Sequence, residues 1–185
     1  NCIVNVPDEL WLLPCIDSIF LMDNNISKIS PSAAHCSSLR TLDVSGNKIT
    51  VIPRDFGFAS HLPSFTWERN PLEEPPACVI DRGWDFTRKL FKSVIDALDT
   101  FALSLPNFGL DQLVADTQDL SQITELNLSF NIFPAIPQIV FNWSQMTKIN
   151  VSNNAIKQLP AAIVNWNKLV DLNLSNNCIP SIPER

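Results

Sequence analysis

The stretch LRTLDVSGNKITVIP, residues 39–53, carries apolar side chains at a spacing that neither a helix nor a simple strand explains. Apolar residues occupy its first, fourth, sixth, eleventh and fourteenth places, Asn47 occupies the ninth, and a proline closes it. A helix repeats its apolar face every three to four residues and a strand every two. The spacing therefore indicates a short strand that turns at the asparagine and leads into a return segment.

The same pattern occurs at six other points in the chain, starting at residues 16, 62, 100, 123, 146 and 169. Successive starts are 23 residues apart, except between residues 62 and 100, where the distance is 38. We call each copy a coil and number its places from these starts. Self-similarity at a fixed period of this length is typical of a solenoid, in which each coil stacks on the next.

Each coil resembles the LxxLxLxxNxLxxLP unit of the leucine-rich repeat family, over nearly the whole chain. The resemblance implies an α/β solenoid: a curved horseshoe with a short-stranded parallel sheet on its concave face and helical or extended segments on its convex side. The residues agree, because alternate side chains of LxL point inward and one coil alone cannot bury them. At about 1.5–3 kcal/mol per buried large aliphatic side chain, stacking is strongly favoured.

An asparagine stands at the ninth place of six of the seven coils, where the chain leaves its strand. A turn at this place buries backbone N–H and C=O groups that need partners. A side-chain amide both donates and accepts, so stacked asparagines satisfy these groups from coil to coil. We therefore interpret as structural, and not as a binding site, the six residues Asn24, Asn47, Asn70, Asn131, Asn154 and Asn177; Phe108 takes the place in the remaining coil.

The longer distance between residues 62 and 100 leaves 15 extra residues in the array. From residue 84 to residue 101 no proline or glycine occurs, and apolar residues recur at three- and four-residue steps, which predicts an amphipathic helix. We therefore divide one continuous solenoid domain into N-terminal repeats 1–76, a helical insertion 77–99 and C-terminal repeats 100–185. The helix either covers a junction between the two sets of repeats or presents basic residues to a partner: Arg82, Arg88, Lys89 and Lys92.

The formal net charge of −6 and a pI near 4.8 argue against binding to nucleic acid or to an anionic membrane surface. No run of about 18 apolar residues occurs, so no membrane span is predicted. Both ends of the sequence fall inside a coil without a cysteine-rich cap, so we expect a piece of a longer array.

The five cysteines are odd in number and scattered, which is typical of reduced intracellular thiols rather than of a disulfide framework. This pattern favours a cytoplasmic location. Against it stand five N-x-S sequons, at Asn25, Asn127, Asn142, Asn150 and Asn173. Three of the five follow from the repeat consensus itself, so they weigh little, and an extracellular location stays open beside the cytoplasmic one.

The sequence contains none of the common catalytic motifs: no GxSxG, HExxH, CxxC or phosphate-binding glycine loop occurs. His35 and His61 lie in successive return segments, but only Cys36 offers itself as a further ligand, which is too small a set for a metal site. We therefore predict a non-enzymatic module without catalytic residues, cofactor or metal.

The outward places of the strands form the candidate binding surface, and most of them hold small polar residues. Large apolar or charged side chains at these places predict contacts with a partner, since aromatic residues are favoured interface anchors. These residues are Phe20, Met22, Asp23, Asp43, Glu68, Arg69, Phe101, Glu125, Phe130, Lys148 and Asp171. For the charged residues the alternative is a solvated face on which neighbouring coils pair; for Phe20 and Phe130 it is cover by a neighbouring segment.

The consensus LxxLxLSxNxIxxIPxxIxNWxxL is similar in particular to the Ras-group subclass, which includes Shoc-type scaffolds and Scribble-like polarity proteins. That similarity implies a signalling scaffold that binds a protein partner through its concave face, with a small GTPase or a phosphatase as the class of partner. Two alternatives remain: the targeting array of a larger kinase, phosphatase or cyclase, and an extracellular receptor or adhesion ectodomain.

Overall fold

The strands lie at the third to fifth places of the coils, where the pattern predicts them. The computed structural model describes residues 1–113 and 120–181, and within these ranges it contains seven strands of three residues each. They are β1 (Ser18–Phe20), β2 (Thr41–Asp43), β3 (Ser64–Thr66), β4 (Ala102–Ser104), β5 (Glu125–Asn127), β6 (Lys148–Asn150) and β7 (Asp171–Asn173). Residues 114–119 and 182–185 of the predicted C-terminal repeats lie outside the described residues.

All of the strand pairs are parallel, and equal places of successive coils lie opposite each other. In the first sheet, of order β1-β2-β3, Ser18 pairs with Thr41 and Thr41 pairs with Ser64. The second sheet has the order β4-β5-β6-β7. The fourth place of each strand points inward and is at most 5% exposed in six strands: Ile19, Leu42, Phe65, Leu103, Leu126 and Ile149. The coils therefore stack through their apolar fourth places, as the sequence predicts.

Return segments of 3-10 helix follow the strands and complete the α/β architecture. Among the segments whose residues are all described, the closing proline of a coil stands directly before four, and Pro31 opens the fifth. Proline suits a helix start because it has no N–H group to leave unpaired and its φ is already helical. The segments are Asp8–Leu12, Pro31–His35, Arg54–Phe58, Gln138–Asn142 and Ala161–Asn165.

The insertion contains two α-helices, α1 (Ala77–Ile80) and α2 (Trp84–Thr100). The second corresponds to the amphipathic helix predicted over residues 84–101, and Leu90 and Val94 lie on its buried face. The indole of Trp84 anchors the start of α2, because its Nε1 donates to the Leu62 carbonyl at 2.7 Å. Its ring also meets three other rings edge-on: Phe56, Phe65 and Trp67.

By their packing, the residues fall into two units, unit 1 (Asn1–Lys92) and unit 2 (Ser93–Arg185). Unit 1 contains the sheet β1-β2-β3, unit 2 contains the sheet β4-β5-β6-β7, and the division falls within α2. The segment boundaries after residues 76 and 99, and the single continuous solenoid domain, stay predictions.

The ninth-place asparagines bond backbone groups of two successive coils. In its own coil, Asn47 Nδ2 donates to the Val44 carbonyl at 2.9 Å; it also reaches the Leu21 carbonyl of the preceding coil at 2.9 Å. Asn47 Oδ1 accepts from the backbone N–H of Ile26 at 3.0 Å. The same set of bonds recurs at Asn70, Asn131, Asn154 and Asn177. These side chains are occupied within the fold, so a partner has to bind elsewhere.

Candidate protein-binding surface

We call the third, fifth, seventh and eighth places of the coils of a unit its sheet face. Three serines at the seventh place are buried, Ser45, Ser129 and Ser152. The third and fifth places flank the buried fourth place on each strand. The seventh and eighth places follow where the chain turns toward the ninth-place asparagine. All the predicted contact residues except Phe101 lie on one of the two sheet faces.

A left-handed backbone marks the eighth place of every coil, which strand alternation did not indicate. The φ angle lies between 53° and 65° at Asp23, Gly46, Arg69, Asn107, Phe130, Asn153 and Asn176. Glycine, asparagine and aspartate adopt this conformation readily, whereas bulky residues do so at a cost of about 1–2 kcal/mol. Two coils therefore hold a strained residue on the sheet face, Arg69 in unit 1 and Phe130 in unit 2.

The sheet face of unit 1 begins with two exposed apolar side chains on the first coil. Phe20, at the fifth place, is 64% exposed, and Met22, at the seventh, is 43% exposed. In register with Phe20 stand Asp43 on β2 and Thr66 on β3. Cover of Phe20 by a neighbouring segment, the alternative weighed from the sequence, is therefore wrong for the described residues.

Asp43 is held firmly beside this apolar pair. Its Oδ1 accepts from the backbone N–H of Ser45 at 2.9 Å and from the Ser45 hydroxyl at 2.6 Å. Partial burial opposes ionisation, but the bonds from Ser45 and Thr66 and the charge of Arg69 outweigh it, so the pKa of Asp43 is lowered. The carboxylate is therefore fully ionised at neutral pH.

Asp23 and Arg69, both predicted to contact a partner, form an ion pair with each other. Arg69 Nη1 lies 3.0 Å from Asp23 Oδ1, and both side chains are largely exposed. The pair spans the intervening coil, which has Gly46 at the same place; a Cβ there would collide with Asp23 Oδ1. The two charges neutralise each other, so the remaining carboxylates dominate the unit 1 face.

On the sheet face of unit 2, two of the three third-place charges pair across neighbouring strands. Lys148 Nζ lies 2.8 Å from Glu125 Oε1. That bond and its charge, with a smaller effect of Asp171, raise the pKa of Lys148. The pairing between coils that the sequence offered as an alternative is therefore present for Glu125 and Lys148. Around them lies a shallow depression of about 330 Å³, bordered by strand residues from β4 to β7.

Two phenylalanines of unit 2 are exposed on left-handed backbone. Phe130, at the eighth place of its coil, is 60% exposed, and the nearby Ile132 is exposed as well. Phe101 follows the end of α2, where glycine is the usual residue. Its carbonyl accepts from the backbone N–H groups of Thr124 and Glu125 at 2.8 and 3.2 Å. The Phe101 backbone thus bonds the next coil, and the side chains of both phenylalanines are exposed.

The fifth place carries a second repeated hydrogen-bond motif, which the sequence analysis missed. In unit 2 an asparagine Oδ1 accepts from both the N–H and the hydroxyl of the serine two residues later, with oxygen–oxygen distances of 2.7 Å. Asp43 makes the same pair of bonds in unit 1. The signal was present as D-x-S or N-x-S at equal places, and the asparagines involved are Asn127, Asn150 and Asn173.

Within residues 1–113 and 120–181, no three His, Cys, Asp or Glu side chains gather closely enough to hold a metal ion. His61 has a buried Nε2 without a hydrogen-bond partner. Burial and the charges of Arg40 and His35 lower the pKa of His61, which favours the neutral ring. No disulfide joins any of the five cysteines, all of which the structure describes.

None of the helices in the described part of the chain has both the length and the apolar character needed to cross a membrane.

Comparison with protein families identifies the repeats. Residues 38–59 match one model of the leucine-rich repeat, and residues 121–184 match a second model of the same repeat. The chain therefore contains leucine-rich repeats and has the α/β solenoid fold of that class. Leucine-rich repeats generally mediate protein–protein interaction, and proteins built from them are typically not enzymes.

Solved leucine-rich repeat structures from bacteria and plants are similar to the chain at low identity. A leucine-rich repeat protein of Leptospira interrogans is 20% identical over 99% of this chain and 49% of that one, with a TM-score of 0.43. An internalin of Listeria monocytogenes is 21% identical, with coverages of 97% and 47% and a TM-score of 0.40. The ectodomain of an Arabidopsis thaliana receptor kinase, bound to Casparian strip integrity factor 2, is 21% identical, with coverages of 93% and 17% and a TM-score of 0.34. The chain spans about half the length of the two bacterial chains.

Proposed function

We propose that this chain is a non-catalytic interaction module that binds a protein partner through the sheet faces of its two units. The observation that carries the proposal is Phe130, an exposed aromatic side chain on left-handed backbone. Asn153 and Asn176 hold the same backbone at the same place, so the turn itself needs no phenylalanine. Strain of about 1–2 kcal/mol retained at an exposed aromatic residue supports a role in binding.

Unit 1 supports the same function through different residues. Phe20 and Met22 lie exposed on one coil, and the ionised Asp43 lies beside them in register. The same face presents an apolar surface that favours association and a fixed charge that orients a partner. Of the residues predicted to contact a partner, we retain these three, Glu68, Phe130 and Asp171 as the contacts of the proposed face. Phe101 lies outside the two sheet faces, and the others form ion pairs within the chain: Asp23, Arg69, Glu125 and Lys148.

A cytoplasmic signalling scaffold is the specific form of this function that we favour. The repeat consensus is similar to that of Ras-group scaffolds, for which the partner class is a small GTPase or a phosphatase. The scattered cysteines, none of them in a disulfide, support a reducing compartment. The alternative form is the targeting part of a larger kinase, phosphatase or cyclase. In that form the catalytic site lies in another domain.

An extracellular receptor or adhesion ectodomain is the second candidate, and one observation favours it. Asn142, in an N-x-S sequon, ends the 3-10 segment Gln138–Asn142 and is exposed. An exposed asparagine of this kind is available for glycosylation in a secreted protein. A glycan mass on Asn142 in protein from its natural source would support the ectodomain, whereas an unmodified Asn142 together with five reduced thiols would support the scaffold.

Photo-crosslinking from single positions tests whether a partner lies on the sheet faces. Benzoylphenylalanine replaces Phe20 or Phe130 in the full chain, and the crosslinked proteins are identified by mass spectrometry after irradiation in cells. Phe58 is the matched control, since it is also an exposed phenylalanine but lies on the return segment Arg54–Phe58. We expect a partner protein to be crosslinked from position 20, from position 130 or from both, and we expect that protein not to be crosslinked from position 58.

The outcome separates three surfaces. Crosslinks that form only from position 58 would place the partner on the return segments and refute the proposal. Crosslinks from none of the three positions would do the same. As an independent check, the variant Phe20→Ala, Asp43→Lys, Phe130→Ala should lose the crosslinked partner while it keeps the circular dichroism spectrum of the parent.

A further inference from the structure

The exposed apolar surface of the unit 1 sheet face is confined to one coil. Phe20 and Met22 stand two residues apart and point to the same side. At the same two places the second coil has Asp43 and Ser45, and the third has Thr66 and Glu68. An apolar pair on the first coil is therefore bordered by carboxylates on the next two coils.

The two hydrogen bonds that Asp43 accepts from Ser45 do not require its negative charge. Its hydrogen bonds to the N–H and hydroxyl of the following serine are made equally well by neutral asparagines at three coils of unit 2: Asn127, Asn150 and Asn173. Asp43 differs from them in that it also accepts a hydrogen bond from the Thr66 side chain and stands in register with the exposed Phe20. An ionised carboxylate beside an exposed apolar pair is the feature that we relate to a partner.

The basic residues of this face make their direct bonds elsewhere, although the charge of Arg69 still acts on Asp43. The guanidinium of Arg69 forms its ion pair with Asp23, and Arg40 donates to the carbonyls of Ser37 and Leu39. Glu68 is exposed on the third coil. With a net charge of −6, the whole chain also attracts basic molecules over a longer range.

From the apolar pair and these carboxylates we infer that the sheet face of unit 1 binds a basic segment of a partner protein that carries one large apolar residue. The inference rests on the proposed function and narrows its partner. The apolar residue packs on Phe20 and Met22, and one or two Lys or Arg side chains reach Asp43 and Glu68. Since β1 and β3 are about 10 Å apart and an extended chain advances about 3.3 Å per residue, the basic residues follow the apolar one by two to three positions.

Four synthetic peptides test this chemistry by fluorescence anisotropy with the full chain. Each has twelve residues in a Gly/Ser background. The first peptide carries Leu, with Lys at the second and third positions after it. The second and third peptides keep the Leu and replace the two Lys residues with Glu or with Ser. The fourth peptide keeps the two Lys residues and replaces the Leu with Ala. We expect the Leu/Lys-Lys peptide to bind most tightly and to weaken between 50 and 500 mM salt, because salt screens exposed charges.

Two double variants with equal charge loss assign the effect to the face. The double variant Asp43→Asn, Glu68→Gln should bind the Leu/Lys-Lys peptide with an affinity lower by about two- to fivefold for each carboxylate removed. This factor corresponds to the free energy of an exposed ion pair. Asp8→Asn with Glu9→Gln, on the return segment Asp8–Leu12, removes as much charge elsewhere and should leave the affinity within twofold of the parent.

Equal binding of the Lys-Lys and Glu-Glu peptides, equal effects of the two double variants, or no binding of any peptide would each overturn the inference. These outcomes are distinct from failure of the proposed function. If crosslinks from position 20 persist while the basic peptide has no advantage, the sheet face binds a partner of other chemistry. If crosslinks from positions 20 and 130 are absent too, the proposed function fails with it.

Discussion

Replacing Asn131 with alanine is expected to destabilise unit 2 far more than the same change at Asn177. Asn131 is 6% exposed, and its Oδ1 accepts from the backbone N–H groups of Phe108 and Leu110, both at 3.0 Å. Its Nδ2 donates to three carbonyls at 2.8 to 3.2 Å: Leu105, Leu128 and Ser129. Alanine removes all five bonds and leaves buried backbone groups without partners.

The magnitude follows from the groups left without partners. Each buried group that loses its partner costs about 1–3 kcal/mol, so the two N–H groups alone make Asn131→Ala cost about 2–6 kcal/mol. At Asn177 the Oδ1 accepts from a single N–H, that of Ile156 at 3.0 Å, and the site is partly exposed. Water replaces part of what is lost there, so Asn177→Ala should cost about 1 kcal/mol.

Urea unfolding followed by circular dichroism measures the two losses, and hydrogen exchange locates them. In Asn131→Ala the amides of residues 108 and 110 should lose protection by about tenfold for every 1.4 kcal/mol lost. In Asn177→Ala the same two amides should keep their protection. Equal losses of stability in the two variants, or unchanged exchange at residues 108 and 110, would refute the assignment of a structural role to the buried amide.

Three further changes test other features of the fold. Phe130→Asn should raise the free energy of unfolding by about 1 kcal/mol, because asparagine tolerates the left-handed backbone; a lower melting temperature would show that the ring stabilises unit 2. Gly46→Ala and Gly83→Ala both place a Cβ on left-handed backbone, but only the first meets Asp23. Gly46→Ala should therefore cost up to about 1 kcal/mol more in urea unfolding, and the excess should vanish in an Asp23→Ala background. The folded-state pKa of His61 is lowered, so the unfolded chain binds its proton first and stability should fall as pH drops below about 6.5. In His61→Gln the melting temperature should depend less on pH between 7.5 and 5, and an unchanged slope would contradict this.

The strands and the bonded asparagines could be predicted because stacking gives each place of a coil one fixed environment. An apolar fourth place has to lie under the fourth place of the next coil, so a pattern that recurs in phase predicts the register. Leu42 and Leu126 are fully buried for this reason. The helix in the insertion was predictable on other grounds, since Leu90 and Val94 recur on one side of a segment free of proline and glycine.

The eighth place was not predictable from strand alternation, which assumes that the backbone stays extended. The backbone is left-handed there, and this turns the side chains of Asp23 and Arg69 toward each other over Gly46. The sequence pattern offered both charges to a partner, whereas in the structure they pair with each other. A signal for the turn was present, since five of the seven residues at this place are glycine, asparagine or aspartate.

Contacts with a partner are the hardest feature to predict from a repeat, because the consensus describes what stacking requires and a binding residue departs from it. A departure in sequence has two explanations: a local adjustment of packing or a function. Phe108 departs at the ninth place, and its side chain is buried, so packing explains it. Phe130 departs from the asparagines at its place, and its ring is exposed. Asp43 departs from the asparagines at its own place, where it accepts the same two bonds from Ser45 and a further one from the Thr66 side chain. Stacking therefore leaves the exposed ring of Phe130 unexplained, which is why the proposed contact with a partner rests on it.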